Sequence, residues 1–126
     1  MKDRIKVVSM AQIPPIAIGN DSWSRLVLTA ETVGAQKAML GYSVFAPGTD
    51  TPQKVHTEEE LAYVLSGHGE ITVGEEVIPY GPGSAIYIPA GVPHGVRNRG
   101  SEDVVMVFAF SFPGYPPTTN APISNR

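Results

Sequence analysis

Cysteine is absent from the 126 residues. That excludes a disulfide scaffold and a thiolate metal site, so a bound ion would need histidine and carboxylate ligands. Basic clusters are missing too. Nine Lys and Arg stand against twelve Asp and Glu, a formal net charge of −3, and no cationic stripe is present to track a phosphate backbone. Nucleic acid is therefore not an expected partner. No apolar run is long enough to span a membrane. Gln12, Pro14 and Pro15 break up the apolar positions near the start, so no secretory signal is expected and the cytoplasm is the expected location. No segment keeps a helical apolar period over eleven residues. Tryptophan occurs once, at Trp23, where a core or barrel-end plug is the expectation.

What the chain has is punctuation. Thirteen glycines and twelve prolines are spread between short apolar runs, the pattern of many strands joined by tight turns. Strands are expected at Ile5–Val8, Trp23–Thr29, Ala38–Ala46, Gln53–His56, Leu61–Leu65, Glu70–Val73, Glu76–Ile78, Ala85–Ile88, Gly95–Arg99 and Val104–Phe112. Gly74–Glu75 reads as a hairpin turn. Ala30–Gln36 is short and contains Gly34, so it reads as a loop. The length suits one domain over 1–126, with N-terminal strands in 1–37, a barrel core over about 38–112 and a tail over 113–126. Four prolines in that tail predict a frayed end. Phe112 and Tyr115 offer the alternative that its first part lies across a barrel mouth or a neighbouring subunit.

Two stretches carry the chemistry. The first, Gly48–Gly67, reads GTDTPQKVHTEEELAYVLSG; the second, Gly83–Asn98, reads GSAIYIPAGVPHGVRN. Strand alternation points Lys54 and His56 to one face and Gln53 and Val55 to the other. Glu60 shares a face with Ala62 and Val64. Antiparallel pairing of 53–56 with 61–65 would set Glu60 beside His56, and the loop shaped by Pro89, Gly91 and Pro93 would bring His94. Two imidazoles and a carboxylate are costly to bury unpartnered, and one divalent transition metal would satisfy all three. Glu58 and Glu59 read as a solvated turn, His68 as exposed, Arg97 and Arg99 as outward charges, and Asn98 as a loop support. Phe45, Met106, Phe108 and Phe110 read as barrel lining.

These stretches resemble the paired motifs of the cupin superfamily. The family's first motif is glycine, five residues, His-x-His, three or four residues, glutamate, six residues, glycine; Gly48, His56, Glu60 and Gly67 fit it. The second is glycine, five residues, Pro-x-Gly, two residues, histidine, three residues, asparagine; Gly83, Pro89, Gly91, His94 and Asn98 fit it throughout. One departure stands out: Lys54 occupies the place of the first motif's leading histidine. An ammonium has no lone pair to give a metal.

The resemblance implies an all-β double-stranded β-helix, a jelly-roll barrel, and a homodimer in which the strand near Ile5–Val8 or Trp23–Thr29 is exchanged or packed. It implies a metal-dependent enzyme on a small oxygenated organic molecule, in the company of dioxygenases, isomerases, decarboxylases, lyases and polyketide cyclases. His56, Glu60 and His94 would hold one Fe, Mn, Ni, Co or Zn ion. Lys54 and Glu60 would be the catalytic pair, with Lys54 facing the substrate. The alternative is a metal-free binding or sensing module in which Lys54 ion-pairs with Glu60.

Overall fold

The computed structural model describes residues 4–121. The expectations for 1–3 and 122–126, the ends of the N-terminal segment and the tail, lie outside the described residues. Eleven strands occur in chain order among the described residues: β1 Ile16–Gly19, β2 Ser22–Leu28, β3 Met39–Phe45, β4 Lys54–His56, β5 Glu60–Ser66, β6 Gly69–Val73, β7 Glu76–Tyr80, β8 Ala85–Ile88, β9 Gly95–Arg97, β10 Val104–Phe110 and β11 Thr118–Asn120. They form a six-stranded sheet in the order β1-β2-β3-β10-β5-β8, a three-stranded sheet β7-β6-β9 and a pair β11-β4. Bridges between Asp50 and Arg97 and between Lys54 and His94 connect the pair to β9. The result is the double-stranded β-helix that the two motifs imply.

The central strand is β10. Its Val104, Met106, Phe108 and Phe110 are buried, while the residues between them are half-buried. This two-residue alternation comes straight from the strand's pleat. Each such inward side chain contributes about 1.5–3 kcal/mol of burial. Phe108 lies against Gly41 on β3, where any Cβ would collide with its ring. Glycine at that position makes room for the aromatic. Phe45, Met106, Phe108 and Phe110 all face the interior, as the sequence implies. Pro79 sits on β7, an edge strand where a missing N–H costs little.

Five expectations are corrected. Ile5–Val8 forms no strand, and no strand among the described residues pairs with it. Ala30–Val33 is one turn of α-helix, α1, closed by Gly34 at φ 76°. Thr29 caps it: the Thr32 amide donates to Thr29 Oγ1 and the Thr29 amide to Thr32 Oγ1. Trp23 is no plug. It is half-buried, stacks on Tyr42 at 6.0 Å and lies 4.9 Å from the Arg25 guanidinium. β4 and β5 are not partners: β4 pairs with β11, and β5 with β10 and β8. The short Thr57–Glu59 link instead carries the chain from one layer to the other. The tail up to Ala121 is not frayed, since β11 hydrogen-bonds along β4. No helix of the described residues is long and apolar enough to cross a membrane.

Asn98 supports its loop as expected. It is fully buried, donates from Nδ2 to the Phe45 and Glu102 carbonyls at 2.8 and 2.9 Å, and accepts from the Gly100 amide at 3.0 Å. Asn98→Ala would leave those backbone groups unpaired in the interior. The expected loss is about 2–3 kcal/mol, measured by urea unfolding; a loss under about 0.5 kcal/mol would contradict this account.

Candidate metal and substrate site

His56 ends β4, Glu60 opens β5 and His94 stands just before β9. His56 and His94 belong to one layer and Glu60 to the other, so the three meet across the barrel. The link between the histidine stretches is backbone. The Lys54 amide donates to the His94 carbonyl at 2.8 Å, the His94 amide donates to the Lys54 carbonyl at 3.0 Å, and the Gly91 amide donates to the His56 carbonyl at 2.9 Å. Gly91 makes this turn at φ 79°, a conformation that side chains resist.

Glu60 Oε1 lies 3.5 Å from His56 Nε2 and 3.4 Å from His94 Nε2. The imidazole centroids are 5.0 Å apart. One ligand atom from each residue falls within 4.8 Å of the others. Both histidines are buried, and Glu60 is half-buried.

Their outer nitrogens fix the tautomers. His94 Nδ1 lies 3.0 Å from the Val92 carbonyl, which can only accept, so Nδ1–H donates. His56 Nδ1 lies 2.8 Å from Thr118 Oγ1. That hydroxyl already donates to the Pro116 carbonyl at 2.8 Å, so His56 Nδ1–H must donate to it. Both Nε2 lone pairs then face Glu60 Oε1. Three lone-pair donors converging without a shared proton repel one another, and a divalent ion resolves the conflict. The residues thus fit a metal.

Burial lowers the pKa of His56 below its ordinary 6.5, against the pull of Glu60 and with help from His94 and Lys54. Burial also pushes that of His94 down, but the hydrogen bond that the protonated ring's Nε2–H makes to Glu60, and the bond to Val92, outweigh it and the net shift is upward. Tyr115 is pushed up by burial and by the Glu60 charge. Its ring meets those of His56 at 5.5 Å and Phe110 at 5.6 Å, both edge-on.

The three side chains open onto a cavity of about 820 Å³. Its walls are mainly apolar, among them Ile71, Ile88, Met106, Phe108 and Phe110. Lys54 lies on the same wall as His56, while Val55 faces away. Lys54 is exposed and makes no ion pair among the described residues. His68 is exposed. Glu59 accepts from the Tyr87 hydroxyl on the outside. Arg97 reaches Asp50 and Glu70, and Arg99 reaches Glu70. Thr118 escapes sequence reasoning because no spacing marks it. Tyr115, for which the sequence offers a barrel-mouth position as the alternative to a frayed tail, lines the cavity.

A family model described as the cupin domain matches residues 41–110. The polyketide synthase CurC of Streptomyces cyaneus is 34% identical over 112 residues, covering 87% of this chain and 71% of that protein. The solved structure of the polyketide cyclase RemF from Streptomyces resistomycificus matches with a TM-score of 0.81 at 24% identity, covering 96% of this chain and 88% of that one. A conserved Klebsiella pneumoniae protein with a double-stranded β-helix domain matches with a TM-score of 0.74 at 20% identity, covering 95% of this chain and all of that one.

The opposed pKa shifts can be read in chelator-treated protein. His94 should protonate first as pH falls, and His56 only below its ordinary value. His56 therefore favours the fold above pH 6.5 and loses that contribution as pH falls through its folded pKa. His94 favours it below pH 6.5 and loses that contribution as pH rises through its folded pKa. Nitrogen-detected NMR of the imidazoles reads both titrations and should show Nδ1–H in each neutral ring. The reverse order, or an Nε2–H tautomer, would contradict the geometry.

Proposed function

The chain belongs to the cupin-domain family, and from that membership we propose that it is a metal-dependent enzyme acting on an oxygenated organic molecule of the polyketide type. The observation that carries this reading is the convergence of two Nε2 lone pairs and one carboxylate oxygen at the end of an apolar cavity. Kinship with CurC, whose name is that of a polyketide synthase, supports the substrate class. His56, Glu60 and His94 would hold one divalent ion, with Fe, Mn, Ni, Co and Zn all compatible with the donors. Such an ion supplies Lewis-acid polarisation of a carbonyl or enolate oxygen.

The chain's own residues would do the rest. The apolar walls exclude water and bind a flat carbon skeleton. Lys54 is not a ligand, and its ammonium on the cavity wall would hold an enolate or phenolate oxygen. Tyr115, held in its protonated form by burial and by Glu60, would donate a hydrogen bond to a substrate oxygen. Glu60 would serve as ligand and, facing both imidazoles, as the site's fixed negative charge. The metal-free alternative requires Lys54 to pair with Glu60. It has less support, since Glu60 faces the two imidazoles and Lys54 meets no carboxylate among the described residues.

Protein purified without chelator is expected to carry about one transition-metal ion per chain by elemental analysis, lost in both His56→Ala and His94→Ala. Lys54→Met should retain the ion and weaken binding of a phenolate probe about tenfold. Protein that takes up none of the five metals would overturn the reading.

A homodimer completes the proposal. Ile5 and Val7 are 91% and 94% exposed. Leu61, Tyr63, Leu65 and Tyr87 are also exposed, on the outer face of the six-stranded sheet. Exposed apolar positions in this number support a second copy as their cover. Light scattering should show a dimer, and the Ile5→Asp, Val7→Asp double variant a larger monomer fraction; a monomeric parent protein would refute this.

A further inference from the structure

The cavity has a second polar end. Ser24 on β2 and Ser43 on β3 lie opposite one another, with their hydroxyl oxygens 2.7 Å apart. Ser43 is 3% exposed, and both residues line the cavity. Nearby hydroxyls are committed to the backbone and to one another. Ser22 Oγ lies 2.6 Å from Thr49 Oγ1 and accepts from the Ala46 amide, and Thr51 Oγ1 accepts from the Val96 amide. The Ser24 and Ser43 hydroxyls bond only to each other among the described residues. One donates to the other, so the pair keeps one O–H donor and free acceptor sites. Ser43 is buried and Ser24 half-buried, and an unused donor with little access to water is costly.

Strand register gives the distance to the metal-binding set. On β10, Met106 stands opposite Ser43, and Phe110 stands opposite Glu60. Four residues of strand give about 13 Å along β10, and Ser43 and Glu60 lie on the strands flanking it, two spacings apart, so the two ends are roughly 16 Å from one another. Between the two ends lies the Phe108 ring, seated against Gly41, with Leu26 and Ile71 also on the cavity wall. An apolar chamber with oxygen-seeking groups at both ends selects by length.

We propose that the Ser24–Ser43 pair is a distal substrate anchor, and that the substrate is an elongated molecule with oxygens at both ends. One end lies at His56, Glu60 and His94; a carbonyl or phenolic oxygen at the other meets the serine hydroxyls. The inference deepens the proposed function and rests on its assignment of the cavity as the substrate site.

The test compares two probes by fluorescence titration: a dihydroxynaphthacenequinone, long enough to reach both ends, and a dihydroxynaphthalene, which is not. The Ser24→Ala, Ser43→Ala double variant removes both hydroxyls and so leaves no orphaned partner. It should bind the long probe about five- to tenfold more weakly and the short probe unchanged, with its metal content and unfolding midpoint unaltered. Equal affinity of variant and parent for the long probe, or no binding of that probe by the parent, overturns the anchor. Loss of affinity for both probes in equal proportion also overturns it, since the serines would then be shaping the site generally. Elemental analysis separates the two levels. Serine-dependent binding in protein that holds no metal would sustain the anchor while refuting the metal-dependent reading.

Discussion

Two backbone hydrogen bonds between Lys54 and His94 hold the site together. They join the β11-β4 pair to the β7-β6-β9 sheet and bring His56 and His94 to a ring separation of 5.0 Å. Glu60 comes from the other layer, so the donor set exists only when both layers close on the core. The backbone of Lys54 makes the bridge, whatever its side chain. A change of residue there can therefore alter the chemistry of the cavity and leave the frame intact. This explains how the motif tolerates lysine at a ligand position: the position has a structural task that any non-proline residue performs.

The C-terminal strand extends the same logic to protonation. Thr118 lies opposite His56 in the β4–β11 register. Its hydroxyl donates to the Pro116 carbonyl and is left as an acceptor toward His56 Nδ1. A proline-rich segment thus sets which imidazole nitrogen faces inward. Tyr115 and Phe110 close edge-on around the same ring, and this packing limits the orientations it can take.

The strand positions and the three converging residues were legible because each depends on local rules. Two-residue alternation placed Phe45, Met106, Phe108 and Phe110 inside, and motif spacing singled out His56, Glu60 and His94. Pairing was less legible. The proximity of residues 56 and 60 along the chain suggested a hairpin, whereas the chain crosses between layers there. Register between distant segments leaves no local trace, so the β11–β4 pairing was hidden beneath the prolines of the tail. Trp23 misled because aromatic bulk suggests a core, yet stacking on Tyr42 and the Arg25 contact suit a half-buried face. Ser24 and Ser43 gave one usable signal: a hydroxyl at an inward position in each of two neighbouring apolar strands, which apolar packing alone does not require.

Charge explains what lysine at position 54 changes. Two neutral imidazoles and one carboxylate leave a divalent ion with a net charge of one. A third histidine would not alter that sum, whereas the Lys54 ammonium would add a second positive charge at the exposed rim of the cavity. A neutral carbonyl oxygen meeting this site gains mainly the ion's polarisation. Under the proposed function, a phenolate or enolate oxygen would be attracted by both cations, the contribution of exposed Lys54 being screened by solvent. Binding would then favour the deprotonated form of such a substrate. On that reading, lysine in place of the motif's leading histidine would shift the cavity's preference from neutral toward anionic oxygen, while the frame built by the Lys54 and His94 backbones is indifferent to the exchange.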